Sequence, residues 1–242
     1  MIKNIFARIW AFWGLVTFIA TFLIIFLPSM IAYALPTLKG QIYFIKVSRV
    51  WMNTWLWLIG CPVKITGREN FKKGETYVVV FNHNALLDVP LSAPYVPGAN
   101  KTIAKASFAK VPLFGLFYSK GAILVDRKNE QSRRKSYEGM RKVLLTGMHM
   151  CIYPEGTRNR TKEPLKQFYD GAFKLAIDVQ KEVVPCVIKG TKKAMPIDKF
   201  FYLLPTRLKM DFLPPVSSIG LTASELKEKV FSIMKDHYLT EK

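Results

Sequence analysis

The chain contains 242 residues, of which half are hydrophobic, 36 are lysine or arginine and 17 are aspartate or glutamate. This length allows one domain with a sizeable hydrophobic core. The formal net charge of +19 at pH 7 favours anionic partners, such as a membrane surface or phosphorylated ligands. The three cysteines lack the paired spacing of a disulfide framework or a metal site, and no nucleic-acid-binding module is recognisable. We therefore expect no metal and no nucleic-acid partner.

The first 60 residues differ in composition from the rest. They contain no acidic residue, residues 9–38 carry no charge, and all five tryptophans lie within the first 57 residues. Tryptophan gathers at membrane interfaces, where one part of its ring meets lipid and another meets water. We interpret residues 1–60 as a helical membrane anchor and residues 61–242 as a globular domain.

Within this anchor, residues 9–27 are predicted to form a helix of about 28 Å, which would just cross a hydrocarbon core. Pro28 is predicted to break it. Residues 41–59 combine basic side chains with three tryptophans, a pattern typical of a helix lying in the membrane interface. Two topologies fit, a single transmembrane helix or an interfacial helical hairpin bent near Pro28. Basic residues flank both ends and slightly favour the cytoplasm for the larger C-terminal part.

From Cys61 onward, short apolar runs alternate with amphipathic segments, which is typical of an α/β fold. We predict a largely parallel central sheet with flanking helices. The predicted strands are residues 63–65, 77–81, 102–104, 122–125, 150–153, 183–188 and 208–212. The predicted helices include one starting at Asp88 and others at residues 111–117, 129–146, 171–179 and 222–237.

The apolar strand at residues 78–81 is followed by Asn82 and His83, and Asp88 lies five residues after the histidine. Five residues of regular helix turn through about 500°, so these two side chains can meet only across a turn. A carboxylate bonded to one imidazole nitrogen fixes the tautomer and raises the basicity of the other nitrogen. The spacing alone also fits a structural histidine followed by a helix N-cap, because isolated His/Asp pairs are common.

Three further blocks of sequence favour the catalytic interpretation of His83 and Asp88 over the structural one. His83 and Asp88 match the His-x4-Asp motif of the glycerolipid acyltransferases, the family of 1-acylglycerol-3-phosphate acyltransferases. Residues 121–127, 153–158 and 184–190 resemble the second, third and fourth blocks of that family. All four blocks occur in the expected order. One block would be a weak signal, whereas four in order are a strong one.

The resemblance implies a glycerol-3-phosphate acyltransferase-like fold and a defined reaction. An acyl group passes from a thioester, either acyl-CoA or acyl-carrier protein, to the sn-2 hydroxyl of 1-acylglycerol-3-phosphate (lysophosphatidate), and phosphatidate is formed. The thioester is a co-substrate, and no cofactor is expected. Residues 61–242 would then be the catalytic domain, on the cytoplasmic face of a membrane. The compact length favours a bacterial inner membrane.

The family's roles can be carried to individual residues of this chain. His83 is expected to act as a general base, oriented by Asp88. Asn82 and Glu155 are expected to position the loops. The sequence contains no Gly-x-Ser-x-Gly elbow, which agrees with direct transfer without an acyl-enzyme.

The second and third blocks bind phosphate in this family. We carry that role to Arg127 and Arg158, because a guanidinium binds phosphate oxygens bidentately. Gly156 and Thr157 would add close backbone and hydroxyl contacts, and Lys105 is a further candidate. These residues follow predicted strands, where ligands bind in sheets of this type.

Two features leave alternatives open. The family often has Glu-Leu shortly after the lysine of the acceptor site, where this chain has Ser107-Phe108. The acceptor could therefore be another lysophospholipid, glycerol 3-phosphate or an amino-acid lipid, and activation of water instead of an alcohol would give a lipid hydrolase. The donors for the tetrahedral oxyanion are not identified, and backbone amides near Asn84 or Gly156 are candidates.

Overall fold

A computed structural model of the chain describes residues 1–240. Two long helices come first and a seven-stranded sheet with further helices follows. The strands are β1 (Val63–Thr66), β2 (Val78–Phe81), β3 (Asn100–Lys105), β4 (Ala122–Val125), β5 (His149–Ile152), β6 (Val183–Lys189) and β7 (Leu208–Phe212). The α-helices are α1 (Ile2–Ala34), α2 (Thr37–Leu58), α3 (Asp88–Leu91), α4 (Phe114–Gly121), α5 (Glu130–Leu145), α6 (Gly171–Asp178), α7 (Thr191–Ala194) and α8 (Ala223–Thr240). Short 3₁₀ helices lie at Arg68–Asn70, Ala93–Tyr95 and Ala106–Lys110.

The strands lie in the order β1-β7-β6-β2-β5-β3-β4. Among the described strands, β6 and β7 form the one antiparallel pair, and the other neighbours are parallel. Strands β2 to β6 therefore all end at the same edge of the sheet, which we call the carboxyl edge. The prediction of a largely parallel α/β sheet is confirmed, and each predicted strand matches an observed one to within two residues.

Each face of the sheet is covered by its own hydrophobic core. Successive side chains of a strand point to opposite faces. In β2, Val78 and Val80 pack in one core with α5, α6 and α8, whereas Val79 and Phe81 pack in the other. That second core is completed by α1, α2 and α4. The two N-terminal helices therefore form a hairpin that is one layer of the fold.

Helix α1 departs from the prediction at Pro28. The helix continues through this residue and ends at Ala34, so the predicted break at Pro28 is wrong. Proline removes one hydrogen bond from a helix interior, and the packing of α1 against α2 and α4 outweighs that loss. The hairpin instead bends at Leu35, whose extended backbone precedes Pro36. By length and composition α1 could cross a membrane.

Candidate active site

The polar residues predicted to share a site follow four strands that end at the carboxyl edge. His83 comes two residues after β2, Lys105 is the last residue of β3, Arg127 follows β4, and Glu155 follows β5. Because these strands are parallel, the four residues lie at one edge of the sheet. The shared position deduced from the pattern of strands is confirmed.

His83 and Asp88 form a hydrogen-bonded pair. The Nδ1 atom of His83 lies 2.9 Å from Oδ2 of Asp88. The imidazole side chain is 15% exposed, whereas the carboxylate is fully buried. With Nδ1 engaged by the carboxylate, Nε2 is the imidazole nitrogen left for chemistry at the surface. The two side chains meet across a turn, as the spacing required.

The local sequence explains how this turn is held. Oδ2 of Asp88 also accepts the backbone N–H groups of Asn84 at 2.6 Å and Ala85 at 2.7 Å. Asp88 is the first residue of α3, so its carboxylate holds the turn that immediately precedes this helix. The same oxygen therefore sets the backbone path and the orientation of the imidazole.

Tyr153 packs directly against the pair. Its ring lies 4.4 Å from the imidazole of His83, centroid to centroid. Its hydroxyl donates to the backbone carbonyl of Asp88 at 2.9 Å. Burial, and then the nearby charge of Asp88, raise the pKa of Tyr153 well above its ordinary value, so the phenol stays a donor. One side chain from the loop after β5 thus contacts both members of the pair.

Two buried polar side chains join the loops around His83. Asn82 bridges to β6, since its amide donates to the carbonyl of Ile188 at 2.9 Å and accepts the N–H of Ile188 at 2.6 Å. Glu155 accepts the backbone N–H of His83 at 2.7 Å and that of Lys166 at 3.1 Å. Burial raises the pKa of Glu155 to about 7, although the two backbone donors oppose that rise. Asn82 thus joins the end of β2 to β6, and Glu155 joins the segments at His83 and Lys166. These are the contacts expected of residues that position loops.

A cleft of about 510 Å³ opens beside the imidazole. His83 lines it on one side, and the loop after β5 supplies the remaining lining residues Thr157, Arg158, Arg160, Thr161 and Lys166. Within this lining, Nζ of Lys166 donates to the hydroxyl of Thr157 at 2.9 Å. The cleft is therefore lined by three cationic side chains and one imidazole.

Not every predicted phosphate ligand lines this cleft. Thr157 and Arg158 do. Arg127 lies next to the loop, where its guanidinium donates to the carbonyl of Gly156. Gly156 has a left-handed backbone with φ of +69°, and a Cβ there would meet the ring of Tyr169 at 2.8 Å. Lys105 is exposed at the end of β3 and is not among the lining residues.

The two backbone amides considered for the oxyanion are already engaged. The N–H of Asn84 donates to Asp88, and the N–H of Gly156 donates to the carbonyl of Tyr153 at 3.0 Å. Neither can donate to a substrate oxygen without losing its present partner. These two amides are therefore not free to stabilise an oxyanion in this conformation.

Sequence reasoning missed three lining residues, which are Arg160, Thr161 and Lys166. Arg160 stands two residues after Arg158 in the same loop, so this pair of arginines was the available signal. Lys166 is eight residues further along from Arg158. The chain returns it to the cleft because the backbone N–H of Asn159 donates to the carbonyl of His83 at 2.6 Å and Glu155 binds the N–H of Lys166. Only these long-range contacts determine that position.

Comparison with known proteins places this geometry in a family. The family model of the acyltransferases matches residues 62–189, more than half of the chain, including the region from β1 to β6. The chain therefore belongs to the acyltransferase family, a family of enzymes, and the resemblance of the four sequence blocks is confirmed.

Individual relatives agree with this assignment. The chain is 30% identical over 183 residues to "1-acyl-sn-glycerol-3-phosphate acyltransferase alpha" of Mus musculus, covering 75% of this chain and 64% of the relative. It is 29% identical over 216 residues to "1-acyl-sn-glycerol-3-phosphate acyltransferase" of Saccharomyces cerevisiae, covering 86% and 71%. The match to the mouse relative thus spans less than two thirds of that protein.

A solved structure has the same fold. The crystal structure of the 1-acyl-sn-glycerophosphate (LPA) acyltransferase PlsC from Thermotoga maritima superposes with a TM-score of 0.80 at 22% identity. The superposition covers 100% of this chain and 98% of the other. The N-terminal helices and the α/β sheet are therefore shared architecture.

Proposed function

We propose that this chain transfers an acyl group from a thioester to the sn-2 hydroxyl of 1-acylglycerol-3-phosphate and so makes phosphatidate. The observation that carries this proposal is the 2.9 Å contact between His83 and Asp88 beside a cleft lined by cationic side chains. The names of the relatives in mouse and yeast support this acceptor.

In the proposed step, His83 is neutral, with Nδ1–H donated to Asp88. Nε2 takes the proton of the lipid hydroxyl as its oxygen attacks the thioester carbonyl, and the Asp88 carboxylate stabilises the imidazolium that forms. When the tetrahedral intermediate collapses, the carbon–sulfur bond breaks and the imidazolium returns the proton to the leaving thiolate. His83 is then neutral again, and no acyl-enzyme is formed.

The acceptor's phosphate would bind in the cationic part of the cleft. Arg158, Arg160 and Lys166 all line it together with His83. Guanidinium groups bind phosphate oxygens bidentately, and an ammonium adds a compact charge. We assign Arg127 an indirect role, because its guanidinium holds the carbonyl of Gly156 within the same loop. Lys105, exposed at the end of β3 and outside the cleft lining, would add positive charge at the carboxyl edge.

Acyl-CoA and acyl-carrier protein remain alternative donors, because both present the same thioester. The test uses purified protein in detergent with lysophosphatidate and each donor in separate reactions. We expect phosphatidate with at least one donor. His83→Ala should lower the rate by about 10²–10⁴-fold, since general-base catalysis typically contributes that much.

Arg158→Ala should mainly raise the KM for lysophosphatidate. Arg141→Ala is the matched control, because Arg141 is an exposed arginine on α5 that does not line the cleft. Release of free fatty acid without acceptor would identify a hydrolase instead. Transfer to another lysophospholipid or to glycerol 3-phosphate, but not to lysophosphatidate, would contradict the proposed acceptor.

We also propose that the α1–α2 hairpin attaches the protein to the cytoplasmic face of a membrane, in bacteria the inner membrane. Helix α1 has a broad exposed apolar face, which includes Ile9, Phe12, Ile24 and Leu27. Both ends of α1 are bonded to the rest of the protein. The carbonyl of Ala7 accepts the N–H of Leu203, and the carbonyl of Ala32 accepts Nζ of Lys120 at 2.8 Å.

These two contacts decide which topology we favour. Ala7 and Ala32 are separated by about 37 Å of helix, more than the roughly 30 Å of a hydrocarbon core. A helix crossing the membrane would carry one end away from the globular domain, whereas here both ends contact it. The interfacial hairpin is therefore the better-supported alternative, with the side of α1 facing the lipid.

A further inference from the structure

Two exposed apolar segments lie at the carboxyl edge on opposite sides of the cleft. One is the turn Val111–Leu113 after β3, and the other is the loop Lys199–Phe201 between β6 and β7. In the strand order, β2 and β5, whose following loops form the cleft, lie between β6 and β3. The two segments therefore flank the mouth of the cleft.

The loop Lys199–Phe201 presents two aromatic side chains to the outside. Phe200 is 86% exposed and Phe201 is 38% exposed. The loop is attached to α1, since Arg8 donates to the carbonyl of Phe200 at 3.3 Å. Phe201 adopts a left-handed backbone with φ of +48°. A bulky residue rarely adopts that conformation, and such strain is concentrated at functional sites.

The turn Val111–Leu113 has the same combination of features. Val111 and Leu113 are both exposed, and Leu113 has a positive φ of +58° with ψ of −54°. The turn is held firmly, because the N–H of Gly115 donates to the carbonyl of Val111 at 2.7 Å. It leads into α4, where Phe114 and Phe117 pack against Phe22 of α1. Each segment is thus connected to α1, directly or through α4, and each contains a bulky residue with a positive φ.

Charge next to these segments indicates the kind of partner. Lys110 and Lys199 are exposed directly beside the apolar residues, and the cleft between them carries Arg158 and Arg160. Apolar tips surrounded by cations match an anionic bilayer, in which apolar side chains enter the acyl region and cations contact phosphates.

We infer that the turn Val111–Leu113 and the loop Lys199–Phe201 insert into an anionic bilayer on either side of the cleft. The mouth of the cleft then faces the headgroup layer, and a lyso-lipid enters sideways between the two segments without leaving the membrane. This inference rests on the proposed attachment of α1 to the membrane.

The test measures the depth of single probes on the full-length protein. Phe200→Cys, Leu113→Cys, Ile24→Cys and Ile219→Cys would each be labelled with an environment-sensitive fluorophore, since the three native cysteines are buried. The proteins are mixed with phosphatidylglycerol–phosphatidylcholine vesicles that carry a nitroxide quencher on the acyl chains. Ile24 reports on α1. Ile219, which is 80% exposed and lies beyond β7 at the opposite edge of the sheet, is the matched control.

We expect the probes at Phe200 and Leu113 to be quenched at least half as strongly as the probe at Ile24, and the probe at Ile219 to stay unquenched. If Ile24 is quenched but Phe200 and Leu113 behave like Ile219, the inference is overturned while the attachment of α1 stands. Quenching at only one of the two segments overturns the two-sided arrangement. An unquenched probe at Ile24 overturns the attachment and the inference together.

Discussion

The buried carboxylate of Glu155 accepts the backbone N–H of His83 at 2.7 Å. The loop after β5 therefore holds the backbone of the residue that follows β2. Because the other carboxylate oxygen accepts the N–H of Lys166, one side chain links the backbone of His83 to that of Lys166, which lines the cleft. We therefore expect a substitution of Glu155 to alter the positions of both His83 and Lys166.

This link predicts a pH-dependent contribution to stability. Burial raises the pKa of Glu155 from 4.5 to about 7, so between these values the folded protein holds a proton that the unfolded chain releases. The contribution of Glu155 to stability therefore falls as pH rises through that window and is constant above it. Glu155→Gln should remove this slope, which amounts to up to about 3 kcal/mol.

The measurement is thermal unfolding of the protein in detergent from pH 5 to pH 8, taken as the difference between wild type and variant. A difference is needed because burial lowers the pKa of His149 to about 4, which gives stability that rises with pH. Glu130→Gln, at an exposed carboxylate on α5, should reproduce the wild-type slope. An unchanged slope in Glu155→Gln would contradict the prediction.

Tyr153 should contribute to the rate through both of its contacts. Tyr153→Phe keeps the ring against His83 but removes the hydrogen bond to the carbonyl of Asp88. A hydrogen bond contributes about 0.5–1.5 kcal/mol, so we expect kcat to fall by roughly 2–10-fold. Tyr153→Leu should cost more, because the imidazole also loses its packing partner.

A comparable pair elsewhere serves as the control. Tyr77 stacks on His149 at 5.6 Å between ring centroids, and its hydroxyl accepts a backbone N–H of Lys72. Tyr77→Phe should leave kcat unchanged even if the protein melts slightly earlier. Equal losses of kcat in Tyr77→Phe and Tyr153→Phe would mean that Tyr153 acts through stability alone.

Gly156 should tolerate no side chain. With φ of +69°, an alanine there costs about 1–2 kcal/mol, and its Cβ would also collide with the ring of Tyr169 at 2.8 Å. We expect Gly156→Ala to displace the carbonyl that Arg127 binds and to raise the KM for the lipid acceptor. Steady-state kinetics in detergent measures this effect.

Gly147 provides the comparison, because it has φ of +84° and no neighbouring atom within 4 Å of where a Cβ would lie. Gly147→Ala should show the conformational cost without a collision and keep the wild-type KM. A similar KM in both variants would show that the collision at Gly156 is relieved by movement of Tyr169 alone.

The hairpin should be required for folding as well as for membrane attachment. Trp55 is 5% exposed and belongs to the core that covers one face of the sheet, whereas Trp57 on the same helix is 77% exposed. We expect Trp55→Ala to lower the free energy of unfolding by about 3–5 kcal/mol. A chain that begins at Cys61 should expose Val79 and Phe81 and aggregate.

Trp57→Ala is the matched control and should change stability little in detergent, because its ring makes little contact with the core. Thermal unfolding of both variants and size-exclusion chromatography of the shortened chain measure these outcomes. A monomeric, folded protein starting at Cys61 would contradict the structural role of the hairpin.

The sequence by itself determined the strands and the spacing of the reactive pair. Short apolar runs, separated by amphipathic segments, located every strand to within two residues. They do so because strands that are buried on both faces require continuous apolar segments. The spacing of His83 and Asp88 predicted a turn with Asp88 opening a helix, since only that geometry lets the two side chains meet. Both features depend on residues that are neighbours along the chain.

Only the tertiary structure decided how distant segments meet. The strand order brings the loops after β2 and β5 together and turns Lys166 into the cleft. Packing against α2 and α4 carries α1 through Pro28, and the shared core makes the hairpin one layer of the fold. Arg127 binds the carbonyl of Gly156 and does not line the cleft. These features follow from contacts between residues far apart in sequence, whose free energies no local pattern encodes.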